Sequence, residues 1–258
     1  MIHALIDADV IAYRCAASCE PTKTTGKEWL EPVNVALLRV EDMMTRILTN
    51  TATRQFSTFL SGSDNFRYHV DPEYKANRKK LTRPTHLEDC REHLITRWKG
   101  TICNGYEADD AIGMAHNDNT ICCSVDKDLL QLPGRHYNPV KDQFLNQSPE
   151  DAAKVIWYLM LVGDTSDNVR GVDRIGPVKA NRIIAGADSI EDLAEYVREL
   201  YNDNERYEQN LHLLRVLRNE RDHENVKAYI ENKQRQGQRE AIAAISEGQD
   251  PYPFSDAD

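Results

Sequence analysis

Carboxylates recur in this chain at the ends of short apolar runs, and that placement constrains its fold more than any other feature. Asp7 closes the run at 2–6, Asp64 follows the one at 56–60, Glu107, Asp109 and Asp110 follow 101–103, and Asp126 and Asp128 follow the run at 120–125. Short β-branched and apolar runs of this kind are strand-sized. Between them, residues 35–49 set Val35, Leu37, Leu38, Met43, Met44, Ile47 and Leu48 at helical spacing, and further helices are expected over 86–98 and from Glu107 onward. Strand alternating with helix predicts an α/β fold whose mostly parallel, doubly wound sheet carries helices on both faces. Strands in such a sheet end at a crevice along their carboxyl edge, where ligands bind.

From residue 149 strand signals nearly vanish. Helices are expected at 149–161, 178–185, 189–201, 206–219 and 223–235, forming a C-terminal helical lobe over 149–240 beside an α/β core over 1–148. Residues 20–32 are polar and turn-rich, which predicts a surface loop or hairpin. Residues 62–85 form an irregular basic stretch within the core. The final segment, 241–258, ends in three Asp and two Pro without a base and is expected to be a disordered acidic tail.

Composition removes several classes of function. With 258 residues, 40% hydrophobic and 29% charged, the chain can bury a sizeable core, which excludes a disordered or fibrous protein. No segment approaches the ~20 apolar residues of a membrane-spanning helix. The N-terminus has neither a basic leader nor a long apolar stretch, so a protein that stays in the cytoplasm is expected. Cys15, Cys19, Cys90, Cys103, Cys122 and Cys123 include no C-x-x-C pair and read as reduced core thiols. The net charge of −10 does not argue against an anionic partner. Nine carboxylates, the seven above with Asp164 and Asp167, account for all but −1 of it, whereas residues 74–83 carry five bases and no acid.

If those carboxylates converge, mutual repulsion would force protonation unless cations neutralise them. Oxygen-only ligands without His or Cys select hard ions, Mg²⁺ or Mn²⁺ rather than Zn²⁺. Two such ions about 4 Å apart would clamp both oxygens of a phosphoryl centre in displacement. For any one of these acids the bland reading is a helix N-cap; the number of them at successive strand ends outweighs it. A last element, Gly163-Asp-Thr-Ser-Asp167 followed by Gly171-Val-Asp-Arg-Ile-Gly176-Pro-Val-Lys179, describes a tight glycine turn that brings backbone N–H groups and a helix N-terminus toward a phosphate.

Six segments in order carry a family likeness: L-I-D-A-D-V-I-A-Y-R (5–14), S-G-S-D-N-F-R (61–67), E-Y-K-A-N-R (73–78), G-Y-E-A-D-D-A-I-G (105–113), S-V-D-K-D-L-L-Q-L (124–132) and G-D-T-S-D-N-V-R-G-V-D-R-I-G-P-V-K-A (163–180). Through them the chain resembles the 5′-nucleases: flap endonucleases, phage 5′ to 3′ exonucleases and the nuclease domain of bacterial DNA polymerase I. The resemblance implies a PIN-like core and a helix-hairpin-helix element at about 169–185. It makes Asp7, Asp64, Glu107, Asp109, Asp110, Asp126, Asp128, Asp164 and Asp167 ligands of two Mg²⁺ ions, for which Mn²⁺ can substitute, or holders of their waters. It makes 62–85 an arch or clamp in which Lys75 and Arg78 stabilise the scissile phosphate and Tyr74 stacks on a base. Arg14, Lys79, Lys80, Gly171, Ile175, Gly176 and Lys179 would contact DNA, with K⁺ at the glycine turn. The expected partner is DNA with 5′ ends, nicks, flaps or an RNA/DNA hybrid, met by a monomeric, stand-alone nuclease that acts in replication, repair or recombination. Asp9 stands where small polar residues are more usual in the family and is left outside the ligand set.

Two other readings compete. Asp7-Ala-Asp9-Val with Gly163-Asp164 imitates a haloacid-dehalogenase-type phosphatase with Asp7 as nucleophile, but that leaves the acids at 107–110 and 126–128 and the basic segment unused. A non-catalytic DNA-binding protein on the same scaffold would not need nine negative charges beside its ligand. Exonuclease against flap cleavage, closed arch against open clamp, and DNA against RNA stay open at the level of sequence.

Overall fold

In the computed structural model, residues 2–22 and 26–246 are described. The chain divides into two compact units, Met1–Asn219 and Glu220–Asp258. The first unit is built on a six-stranded sheet. Its strands are β1 (His3–Asp7), β2 (Gln55–Asn65), β3 (Thr101–Gly105), β4 (Thr120–Cys123), β5 (Gly134–Asn138) and β6 (Gln143–Gln147), in spatial order β3-β2-β1-β4-β5-β6. All neighbours pair in parallel except β5 with β6. The doubly wound sheet is thus confirmed, with an antiparallel edge hairpin that no periodic signal announced: β6 is too polar and too exposed to alternate.

Helices follow the strands as a parallel sheet requires. They are α1 (Ala8–Ala17), α2 (Val33–Asn50), the short α3 (Arg67–Val70), α4 (Leu87–Trp98) and α5 (Ala108–Ala115). One face of the sheet and the helices α1, α2 and α4 enclose a core of Ala4, Ile6, Ile11, Met44, Ile47, Leu60, Leu94 and Tyr137, each nearly or fully inaccessible. The other face packs Leu5, Ile112, Cys122, Leu129 and Val216. All six cysteines are buried free thiols, as the sequence predicts. Thr22 and Lys27 form an antiparallel bridge within 20–32, where a surface loop or hairpin is expected.

The helices α6 (Pro149–Val162), α7 (Pro177–Ala185), α8 (Ile190–Tyr201) and α9 (Asn204–Leu214) complete this unit, with a small antiparallel ribbon of β7 (Gly163–Asp164) and β8 (Val169–Arg170) between α6 and α7. The expected boundary near 148 marks a change of secondary structure, whereas the division by contacts falls after Asn219. The reason lies in buried polar links. Gln131 donates to Leu214 O at 2.9 Å and accepts from Val216 N at 3.3 Å, and the Arg67 Nε donates to Leu213 O at 2.8 Å. The second unit contains α10 (Glu220–Ser246), longer than the expected 223–235. Glu220 and Asp222 favour its N-terminus, Glu231 pairs with Arg235 one turn on at 3.2 Å, and Ala-rich residues 241–246 continue it into the expected tail. The rest of that tail, 247–258, lies outside the described residues. Among the described residues no helix is long and apolar enough to cross a membrane.

Candidate active site

Parallel pairing of β4 against β1 sets Cys123 beside Ile6, so the residues that follow these strands meet at the sheet's carboxyl edge. There Asp7 caps α1, accepting from Val10 N at 3.3 Å, and takes a hydrogen bond from Ser124 Oγ at 2.6 Å. Ser124 Oγ accepts in turn from Asp126 N at 2.9 Å, and Asp126 Oδ1 accepts from Asp128 N at 2.9 Å. One short chain of hydrogen bonds thereby links Asp7 to the turn that carries Asp126 and Asp128. From the other side, α5 opens with Glu107 as its N-cap, bringing Asp109 toward the same edge.

The crowding has the electrostatic effect expected from the sequence. Burial, opposed by the Ser124 hydrogen bond and reinforced by the charges of Asp9 and Asp126, pushes the Asp7 carboxyl up to about 7. Burial followed by the charges of Asp7, Asp126 and Glu107 holds Asp109 well above the carboxylate range. Asp128 is pushed up to about 7 by burial and then by Asp126 and Asp164. Asp164 behaves oppositely: burial opposes its ionisation, but Ser166, donating at 2.7 Å from its backbone and 2.5 Å from its hydroxyl, and Lys127 at 3.4 Å hold it below the usual range.

Residues 73–80 lie against this cluster. Lys75 Nζ pairs closely with Glu107 Oε1 and lies 3.7 Å from Asp167, while Arg78 reaches Asp167 at 2.5 Å. Burial disfavours the Lys75 ammonium, but Glu107 and Asp167 more than offset it, so its pKa is raised. Tyr74 is only 2% exposed and donates to Asp167 at 2.7 Å and Glu107 at 3.1 Å. The expectation that Tyr74 stacks on a base is therefore corrected: its ring is inside the fold, where its hydroxyl proton is shared between two acids. Lys79 and Lys80 are exposed on the short 3-10 turn Ala76–Lys80, and Arg14 is exposed on α1.

Two expected ligands stand apart. Asp64 lies within β2 rather than after it, because that strand runs on through an irregular pairing between Ser61 and Asn65. Its side chain is 68% exposed, 3.7 Å from His69. Asp110 is fully buried and turned away from the crevice. Its oxygens receive Arg67 at 2.6 and 3.0 Å, Glu107 N at 3.0 Å and Leu217 N at 3.0 Å. Sharing a helix face with Glu107 does not aim it at an ion here, because the capping box folds it back on the Glu107 N–H.

The glycine turn also differs in detail from expectation. A Cβ on Gly171 would stand 2.4 Å from Gly163 N and from Leu161 O, so this glycine serves backbone packing inside the ribbon rather than approach to a phosphate. Ile175 is 7% exposed and buries its side chain. Gly176 is open, with nothing within 4 Å of a Cβ, and caps α7, on whose first turn Lys179 and the 68% exposed Val178 face solvent. Residues that carried no role in the sequence include Ser124, Lys127, Ser61 and Arg67; each lies inside a recognised segment, but only the fold shows its partner.

The donor set fits a hard divalent ion. It consists of oxygens, its repulsion is unneutralised at Asp7, Asp109 and Asp128, and Asp128 Oδ1 is buried with no hydrogen-bond partner. Among the described residues no three His, Cys, Asp or Glu side chains stand close enough to chelate an ion as they are. Ammonium and guanidinium groups occupy part of the cluster instead, Lys75 at Glu107 and Lys127 at Asp164.

Comparison with known proteins matches residues 3–155 to the family model described as 5′-3′ exonuclease, N-terminal resolvase-like domain. A 5′-3′ exonuclease of Mycoplasma pneumoniae is 28% identical over 223 residues, 73% of each chain. DNA polymerase I of Pseudomonas aeruginosa is 29% identical over 202 residues, 70% of this chain but 22% of that protein. In fold the chain is similar to the bacteriophage T5 flap endonuclease, solved as a pseudo-enzyme–product complex with DNA and metal ions. The TM-score is 0.59 at 19% identity, over 84% of this chain and 89% of that one.

Proposed function

This chain belongs to the 5′-3′ exonuclease family, and from that premise we propose that it is a divalent-metal-dependent 5′ to 3′ exonuclease and flap endonuclease of DNA. The observation that carries the reading is the cluster in which Asp7, Asp109 and Asp126 repel one another, with Lys75 and Arg78 paired to the acids Glu107 and Asp167. Such a place demands cations, and a polyanion supplies the opposite half of the match: it can draw Lys75 and Arg78 from the acids. The relatives named above, one a 5′-3′ exonuclease and one solved with DNA and metal ions, support the same reading.

Asp7, Glu107, Asp109, Asp126 and Asp128 would hold two Mg²⁺ or Mn²⁺ ions, with Asp164 and Asp167 alongside. When bound, such ions lower the pKa of water and offset charge on a phosphodiester. The chain's own residues do the rest. Ser124 fixes the orientation of Asp7, and the Ser166 hydroxyl fixes Asp164. Lys75 and Arg78 carry positive charge that can pass from Glu107 and Asp167 to the scissile phosphate as negative charge develops there. Exposed Arg14, Lys79 and Lys80 contact neighbouring phosphates, and the N-terminus of α7 at Gly176, with Lys179, holds duplex backbone without reading its sequence. K⁺ at this turn, action on nicks, flaps and RNA/DNA hybrids, a monomeric state and a role in replication, repair or recombination belong to the same proposal.

The test is cleavage of 5′-labelled duplex, nicked, flapped and RNA-tailed substrates with Mg²⁺ or with chelator. Asp126→Ala should lower the rate about 10²-fold or more while duplex binding persists. Absence of any Mg²⁺-dependent product, or turnover of small phosphomonoesters alone, would refute the proposal.

A further inference from the structure

A second acidic side chain, Asp9, stands in the first turn of α1, two residues beyond Asp7, and adds its charge to the repulsion that Asp7 feels. It is engaged from two directions. Its Oδ2 accepts from Ser61 N at 2.7 Å, and its Oδ1 pairs closely with one arm of the Arg91 guanidinium, on α4. The other arm of the same fork donates to Ser61 O at 2.6 Å. Ser61 Oγ then accepts from Ala108 N at 2.9 Å, the first residue of α5 between Glu107 and Asp109. The start of α1, β2 and the start of α5 thus meet at one serine gripped by one arginine. Arg91 also lies 3.8 Å from Glu88, which sits at the surface.

We infer that Arg91 is a positioning residue: its fork, spanning Asp9 and Ser61, fixes the separation between Asp7 and the carboxylates of α5. The inference rests on the proposed nuclease reading. A planar guanidinium can hold a carboxylate and a carbonyl together in a fixed geometry, which a lysine ammonium cannot. Without it the Asp9 carboxylate keeps only the Ser61 N–H and is repelled by Asp7, so the hydrogen-bonded bridge to Ala108 loses its anchor.

The test compares wild type, Arg91→Ala, Arg91→Lys and the double variant Asp9→Asn/Arg91→Ala in Mg²⁺-dependent cleavage and in the rise of melting temperature on adding Mn²⁺. Arg91→Ala should lower kcat about tenfold or more, with KM for DNA within about threefold, since misplacement of reacting groups acts on the chemical step. The double variant should stay within about threefold of Arg91→Ala, because a neutral amide relieves the repulsion of Asp7 but nothing then ties it to Ser61 O. The Mn²⁺-induced rise should be smaller in Arg91→Ala and in the double variant than in wild type. A larger rise would mean that losing a positive charge simply favours the cation, and would overturn the positioning role. Wild-type kcat in Arg91→Ala, or a double variant that recovers wild-type kcat without the fork, would also overturn it. If Arg91→Ala does not fold, Arg91→Lys decides: an intermediate kcat supports the fork, a wild-type kcat refutes it. Failure of wild type to cleave refutes the nuclease reading instead.

Discussion

Replacing Arg67 with Ala tests how the helical part of the first unit is joined to its sheet. Arg67 is 3% exposed and spends its guanidinium on both oxygens of the fully buried Asp110, on Leu213 O at 2.8 Å and on Arg215 O at 2.9 Å. Burial works against its charge, yet Asp110, Tyr74 and Glu107 more than compensate, holding it well above the ordinary arginine value. In the variant, Asp110 keeps two backbone donors, Glu107 N and Leu217 N, and loses its counter-charge. Leaving one member of a buried ion pair uncompensated costs about 3–5 kcal/mol. At roughly 2–4 °C per kcal/mol for a unit of this size, the melting temperature should fall by about 6–20 °C. Urea or thermal melts in chelator measure it, so that ion binding does not mask the loss. Arg67→Met with Asp110→Asn should be distinctly less destabilised than Arg67→Ala, because no bare charge remains inside. A loss below about 1 kcal/mol in Arg67→Ala would refute the reasoning, since only exposed pairs are worth so little.

The metal-free protein should lose stability as pH rises from about 5 to 8. Asp7 and Asp128, with folded pKa values near 7 against 3.8 for the free group, bind protons in the fold that the unfolded chain has already released, so raising pH favours unfolding until the folded groups have titrated. Melts at pH 5 and 8 should show this trend and its reduction by Mg²⁺; greater stability at pH 8 in chelator would contradict it. Gly171→Ala should destabilise by about 1–3 kcal/mol or more, as an overpacked interior does. Gly176→Ala, whose φ is −97° with open space around it, should melt within about 0.5 kcal/mol of wild type. Equal melting temperatures for the two alanine variants would show that the ribbon does not need its glycine.

Much of the core was legible because strand and helix differ in period, and a parallel sheet must end its strands at one edge. That rule brought Asp7, Asp109, Asp126 and Asp128 together from three chain segments. It failed for Asp64, since an apolar run does not mark where a polar strand ends, and for the hairpin of β5 and β6, whose edge strand buries too little to leave a pattern. Glu107 and Asp110 look equivalent by spacing, yet one faces the crevice and the other is buried beneath it. What separates them is that Arg67, 40 residues or more away in sequence, grips both Asp110 oxygens and only approaches Glu107 at 3.6 Å.

The chain by itself determined which residue types stand at the sheet's carboxyl edge, because local periodicity and strand order are written in neighbouring residues. Only the tertiary structure decided which acids keep free oxygens, which aromatic ring is buried and which glycine is structural. Those outcomes depend on partners supplied by distant segments: Arg67 for Asp110, Asp167 for Tyr74 and Gly163 for Gly171. A hydrogen bond or a close backbone crossing has no period, so no window of sequence contains it.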